Sequence, residues 1–206
     1  NEQSKFYFNR KISNIVFMGM GEPLLNHKNV VKAIKKMKME NGLNFSARKI
    51  TISTSGIPKG IKQIADENLN CNLAVSLHSA IQKTRQIIMP FSDKFPLEDL
   101  IESLKYWYTV TKKKILYEYI IFDGINDNIE HIDALIKICK ILPSKVNFIE
   151  YNPIGDETFR QCKVEKLRLY QKYLSSEGIV NTFRVSRGRD IKAACGQLIN
   201  SNKEIL

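Results

Sequence analysis

Short runs of β-branched and aromatic residues alternate with longer amphipathic stretches along this 206-residue chain, and no other feature limits its possible folds as tightly. The runs are NIVFMG (14–19), KITIST (49–54), CNLAVSLH (71–78), ILYEYIIF (115–122), VNFIEYN (146–152) and NTFRVS (181–186). Between them apolar residues return at helical spacing. Val30, Val31, Ile34 and Met37 share a stripe within 27–40, and Ile129, Ile132, Ile136 and Cys139 share one within 127–142. The segments 59–69, 96–109 and 164–175 fit helices as well. Six near-continuous apolar strands separated by helices predict buried parallel strands joined by right-handed crossovers, hence an α/β fold. No repeat, low-complexity tract or Pro/Gly-rich linker divides the chain, so one domain over 1–206 is expected.

Polar and small residues collect where the runs end. Gly19, Gly21 and Glu22 follow the first, Ser53 to Ser55 close the second, Ser76 and His78 the third, and Asn152 the fifth. In parallel α/β folds ligands bind at the carboxyl ends of strands, so these residues are expected to converge on one pocket. Gly19-Met20-Gly21-Glu22-Pro23 lacks the third glycine of a dinucleotide fingerprint, and its carboxylate would repel a pyrophosphate. It reads either as a tight strand-to-helix turn or as a close backbone approach to a ligand, with Glu22 accepting from an ammonium group and Ser53 or Ser76 donating to carboxylate oxygens.

Charge adds a second hint. Thirty-two basic residues against 21 acidic give +11, the sign of a protein that meets phosphate, although lysine-rich coding accounts for much of the excess. Three of the eight arginines, Arg184, Arg187 and Arg189, fall within six residues, and lysine bias does not explain that cluster. Bidentate arginine contacts suit a nucleic-acid backbone, the bland alternative being a solvated strand edge. Just beyond lies Cys195 between Ala194 and Gly196. It reads as an accessible thiolate favoured by nearby cations or, more commonly for an isolated cysteine, as a buried inert thiol. Cys71, Cys139 and Cys162 take the buried reading, and no spacing suggests disulfides or a local metal site. His27 and His131 open helices and are expected at the surface or as caps. Glu118 and Asp123 flank the fourth run without defining an acid/base pair. No stretch reaches the roughly 18 apolar residues of a membrane span, and a cytoplasmic protein without membrane contact is expected.

With those residues in view, the chain resembles the RlmN/Cfr family of radical S-adenosylmethionine (SAM) RNA methyltransferases. The resemblance runs in order through VFMGMGEPLLN (16–26), ITISTSG (50–56), LAVSLH (73–78), EYIIFDGIND (118–127), NFIEYNP (147–153) and RGRDIKAACGQL (187–198). It implies a partial (β/α) barrel of the radical SAM type, without its first strand and cluster loop. Gly21 and Glu22 would contact the methionyl part of SAM, with Ser53, Ser76, Leu77, His78 and Asn152 completing the site, and Cys195 would carry the methyl group. The implied reaction methylates adenine C2 in 23S rRNA and tRNA. The Cys195 thiolate first takes a methyl from one SAM. A second SAM, cleaved by an electron from a [4Fe–4S] cluster, then supplies the radical that activates that methyl, because an electron-poor ring carbon does not attack SAM directly. A flavodoxin-type protein would donate the electron.

The family holds its cluster with CxxxCxxC ahead of the GMGEP region. No such motif occurs here, so the resemblance implies an N-terminally truncated chain, lacking an accessory domain and inactive by itself, with no metal ligand of its own. Three other readings stand beside this one. They are Cfr-type methylation at adenine C8, a cluster-free α/β-barrel metabolic enzyme such as an aldolase, which needs a strand-end lysine or metal ligands, and a noncatalytic basic RNA-binding module.

Overall fold

The structure, a computed structural model, describes residues 2–18, 20–153 and 158–185. A short helix α1 (Glu2–Phe8) precedes β1 (Ile15–Phe17), and α2 (His27–Lys38) leads to β2 (Ile50–Thr54). Then follow α3 (Pro58–Asp66), β3 (Asn72–Ser76), α4 (Gln82–Ile88), α5 (Leu97–Thr111) and β4 (Ile115–Tyr119). The chain continues through α6 (Ile129–Ile141), β5 (Ser144–Ile149), α7 (Val164–Ser176) and β6 (Asn181–Arg184). All six strands pair in parallel, in the order β1-β2-β3-β4-β5-β6. Each right-handed crossover therefore steps in the same direction and leaves its helices on the same face. That is the wall of a (β/α) barrel, open between β1 and β6, as expected. A sheet whose strand order reverses would carry helices on both faces.

The consequence is a sheet with two unlike faces. Ile50, Ile52, Leu73, Val75, Ile115, Tyr117, Tyr119, Val146 and Phe148 point toward the helices and are each 2 % exposed or less. They meet Ile34, Ile61, Ile64, Leu100, Leu104 and Trp107 in one core, and each such side chain contributes on the order of 1.5–3 kcal/mol by leaving water. The alternate positions carry Thr51, Ser53, Asn72, Ser76, Glu118, Asn147 and Thr182, placed side by side by the register. The central strands are largely buried, as expected, and what distinguishes their second face is its polar side chains. The helices that pack in the core meet the first face, and the second carries the polar residues that interrupt the runs.

Local signals account for most helix ends. Pro58 opens α3, and Glu98 and Asp99 sit in the first turn of α5. The Asn128 side chain caps α6 by accepting from the His131 N–H at 3.1 Å. The buried stripe of α6 runs through His131, Ile132, Leu135, Ile136, Ile138 and Cys139, rotated away from the expected one. Ile129 is exposed as a result, and His131, expected at the surface or as a cap, is buried in the first turn of the helix. Helix α4 escapes apolar periodicity because the residue it buries is Arg85. Helix α1 buries nothing and leaves Phe6, Tyr7 and Phe8 exposed.

Candidate active site

A cavity of about 360 Å³ opens at the carboxyl ends of the strands, and Gly21, Glu22, Ser53, Ser76, His78 and Asn152 all line it. Six residues picked from four separate strand ends therefore meet. Leu77 does not line it. It is 1 % exposed in the core and acts through its backbone, donating N–H to the Glu118 carbonyl at 3.0 Å and accepting from Arg85 Nε at 3.2 Å. Gly19, Arg187, Arg189 and Cys195 lie outside the described residues.

Glu22 ties the first turn to β2. Its Oε1 accepts from the Leu24 N–H at 3.0 Å and the Thr54 hydroxyl at 2.8 Å, while Oε2 accepts from the Ser55 N–H and hydroxyl, both at 2.7 Å. A carboxylate offers about four lone-pair sites, and all four are taken. Glu22 thus lines the cavity while its two oxygens hold the first strand-end turn against the end of β2. Gly21, at φ +88°, makes the turn into it, a conformation few other residues adopt.

His78 sits at φ +54° and is held at both ends. Its carbonyl accepts from Asn126 Nδ2 at 2.6 Å, and its Nδ1 accepts from the Ile120 N–H at 3.2 Å. An accepting Nδ1 carries no hydrogen, which leaves Nε2–H as the donor of a ring that lines the cavity. Burial, with the nearby Arg85 charge, pushes the imidazole down to about 4, so the ring is neutral at physiological pH. Asn126, 1 % exposed, also donates to the Ile120 carbonyl at 2.9 Å and accepts from the Phe122 N–H at 2.6 Å, locking the β4 end loop to the β3 end loop.

Two further groups were not assigned from the sequence. Arg85 is fully buried beneath the cavity and donates to the carbonyls of Ser55 (2.6 Å), Leu77 (3.2 Å) and Ser76 (3.4 Å). It bolts the ends of β2 and β3 together, and burial lowers its guanidinium to about 10. Glu118, 3 % exposed, lines the cavity and accepts from the Ser53 hydroxyl at 2.8 Å, a bond that reaches across β3 from β2 to β4. Desolvation raises its carboxyl above the usual range, against the smaller opposing effects of the Ser53 hydrogen bond and Arg184. The sequence signal was the acidic interruption of ILYEYIIF at an alternate position.

On the far side, residues 160–162 are pinned to the β4 end loop. Phe122 and Gln161 form an antiparallel bridge, and the Asp123 N–H donates to the Arg160 carbonyl at 3.0 Å. Gln161 Oε1 accepts from the Tyr151 N–H at 2.5 Å. Phe122 lies 5.1 Å from the Tyr151 ring and 5.0 Å from the Phe159 ring, centroid to centroid. The cavity is thus lined by the polar Ser76 and His78 together with the apolar Ile120, Phe122 and Ile149. These suit a zwitterionic nucleoside ligand, with polar contacts for its charged groups and an apolar slot for a planar base.

Among the described residues no three metal-ligating side chains converge. Cys71, Cys139 and Cys162 are each buried, and burial raises all three thiols, that of Cys139 to about 11. Among the described residues that line the cavity there is no lysine. No helix is long and apolar enough to cross a membrane among the described residues.

No protein-family profile matches the chain. It is 55 % identical over 205 residues to a protein named "Probable dual-specificity RNA methyltransferase RlmN" from Flavobacterium johnsoniae, covering all of this chain and 59 % of that protein. It is 46 % identical over 187 residues to "Dual-specificity RNA methyltransferase RlmN" from Lawsonia intracellularis, covering 91 % of this chain and 52 % of that one. The chain thus spans little more than half the length of the curated relatives it matches. A crystal structure of a radical SAM methyltransferase from Sphaerobacter thermophilus superimposes with a TM-score of 0.90 at 35 % identity, over 95 % of this chain and 57 % of that one. Streptococcus suis SuiB bound to S-adenosylmethionine shares the fold at a TM-score of 0.63 and 17 % identity, over 93 % of this chain and 43 % of that one.

Proposed function

We infer that this chain belongs to the RlmN family of RNA methyltransferases, to two of whose named members it is 55 % and 46 % identical, and that it serves SAM-dependent methylation of adenine C2 in 23S rRNA and tRNA, with Cys195 as the residue that carries the methyl group. The supporting observation is the convergence of Gly21, Glu22, Ser53, Ser76, His78 and Asn152 on one cavity at the carboxyl ends of parallel strands. In this reading the turn fixed by Glu22 lets the Gly21 backbone approach the methionyl part of SAM, while Ser76 and the His78 Nε2–H donate to ligand acceptors. Ile120, Phe122 and Ile149 keep water from the base. SAM supplies an electrophilic methyl group and, when reduced by a [4Fe–4S] cluster, a radical able to abstract hydrogen. The thiol groups of Cys71, Cys139 and Cys162 are buried and do not converge, so they do not fit the cluster, and no step is routed through it.

The Cys195 thiolate, a soft nucleophile, is the acceptor for the sulfonium methyl, and the S–CH₃ bond forms as the sulfonium C–S bond breaks. Arg184, exposed at the end of β6, together with Arg187 and Arg189 supplies phosphate contacts for the RNA. A flavodoxin-type electron donor and a cytoplasmic location complete the proposal. The test is the full-length protein reconstituted with iron, sulfide and SAM, followed by mass-spectrometric mapping of 23S rRNA and tRNA. Methyl groups at adenine C2 that vanish in Cys195→Ala are expected. Methyl groups at C8 would assign the Cfr-type activity, and undiminished methylation by Cys195→Ala would overturn the role of that thiol.

A further inference from the structure

Several carboxylates line the cavity, and they differ in what they have left to offer. Glu22 is saturated by four hydrogen bonds from Leu24, Thr54 and Ser55. Glu150, at the rim, is engaged in an interaction of its own. Glu118 is 3 % exposed, yet it accepts only the Ser53 hydroxyl, on Oε2, and Oε1 receives no hydrogen bond among the described residues. Ser53 fixes the direction of the group. The register sets Glu118 between Ser76 on β3 and Asn147 on β5, and it lines the cavity. On a largely desolvated residue that lines the cavity, an acceptor oxygen to which no described protein group donates is placed to meet a ligand donor.

Building on the SAM-binding reading above, we propose that Glu118 is a further carboxylate that contacts the bound ligand, its Oε1 accepting a hydrogen bond from an O–H or N–H donor of the nucleoside sulfonium. Burial raises the Glu118 carboxyl, as expected of a group whose charge the protein alone leaves under-stabilised. The donor is either a ribose hydroxyl or the α-ammonium, and ligand analogues separate the two.

The experiment is isothermal titration of the full-length, cluster-reconstituted protein and its Glu118→Gln variant with SAM, S-adenosylhomocysteine and 5′-methylthioadenosine, alongside thermal denaturation without ligand. Glutamine keeps the acceptor for Ser53 and removes the charge. SAM affinity is expected to fall roughly 10- to 100-fold, as for loss of a charged hydrogen bond, with an unliganded melting temperature equal to or above that of the parent. An equal loss for 5′-methylthioadenosine, which lacks the amino-acid group, assigns the ribose as donor. A loss confined to the two amino-acid-bearing ligands assigns the ammonium. Should the Glu118→Gln substitution prevent folding, Glu118→Asp, which withdraws the carboxylate by one methylene, is expected to weaken SAM in the same direction. A folded variant that binds SAM within twofold of the parent overturns the proposal. Failure of the parent itself to bind SAM would instead overturn the reading on which it rests.

Discussion

The carboxylate of Glu22 holds Ser55 twice, accepting its backbone N–H and its hydroxyl on the same oxygen at 2.7 Å each. Residues 33 positions apart in sequence thereby join the first strand-end turn to the end of β2. Glu22→Ala would leave the Leu24 and Ser55 N–H groups and the Thr54 hydroxyl without their acceptor in a partly buried place. A loss of about 3 kcal/mol is expected, read as a lower urea midpoint with an unchanged slope.

His78 predicts a pH dependence. Its folded value is pushed down to about 4 by burial and then by Arg85, against about 6.5 when unfolded. Between those values the unfolded chain binds the proton and the folded one does not, so stability is complete above about pH 6.5 and falls as pH drops toward 4. The loss is on the order of 2–3 kcal/mol. His78→Asn, which tolerates the left-handed backbone, should flatten this slope in denaturation curves at pH 7, 5.5 and 4.5.

Gly60 separates two opposing effects. Alanine in the middle of α3 should gain about 1 kcal/mol in helix propensity. However, its Cβ would lie 2.7 Å from Leu24 Cβ, a backbone-proximal atom that cannot swing aside. Overpacking of that kind costs roughly 1–3 kcal/mol, so Gly60→Ala is expected to lower the melting temperature slightly.

Thiol labelling distinguishes the cysteines. Cys71, Cys139 and Cys162 are 1 %, 5 % and 3 % exposed with raised thiol values, so none should react with iodoacetamide at pH 8 until the protein unfolds. Peptide mapping of the native protein checks this, and rapid native labelling at any of the three would contradict the packing described.

The number and direction of the strands were legible in the sequence because hydrophobic alternation is a local property. Each of the six runs holds a strand, and five anticipated helices appear within a few residues of their expected limits. The convergence of Gly21, Glu22, Ser53, Ser76, His78 and Asn152 was legible too, since parallel strands joined by same-handed crossovers must bring their carboxyl ends to one side. Helix α4 was hidden because its anchor is a charged side chain, and His131 was misplaced because the stripe of α6 is set by what it packs against.

The sequence by itself determined an α/β chain with its polar residues gathered at one end of a parallel sheet. Only the tertiary structure decided what each of them does. Whether a carboxylate is saturated, like Glu22, or open, like Glu118, depends on hydrogen bonds from residues 33 and 65 positions away. The burial of Arg85 and the tautomer of His78 depend likewise on backbone groups of other strands. Periodicity sets which face a side chain takes, but its protonation and free valence follow from neighbours that meet only when the sheet curves and the loops close over it.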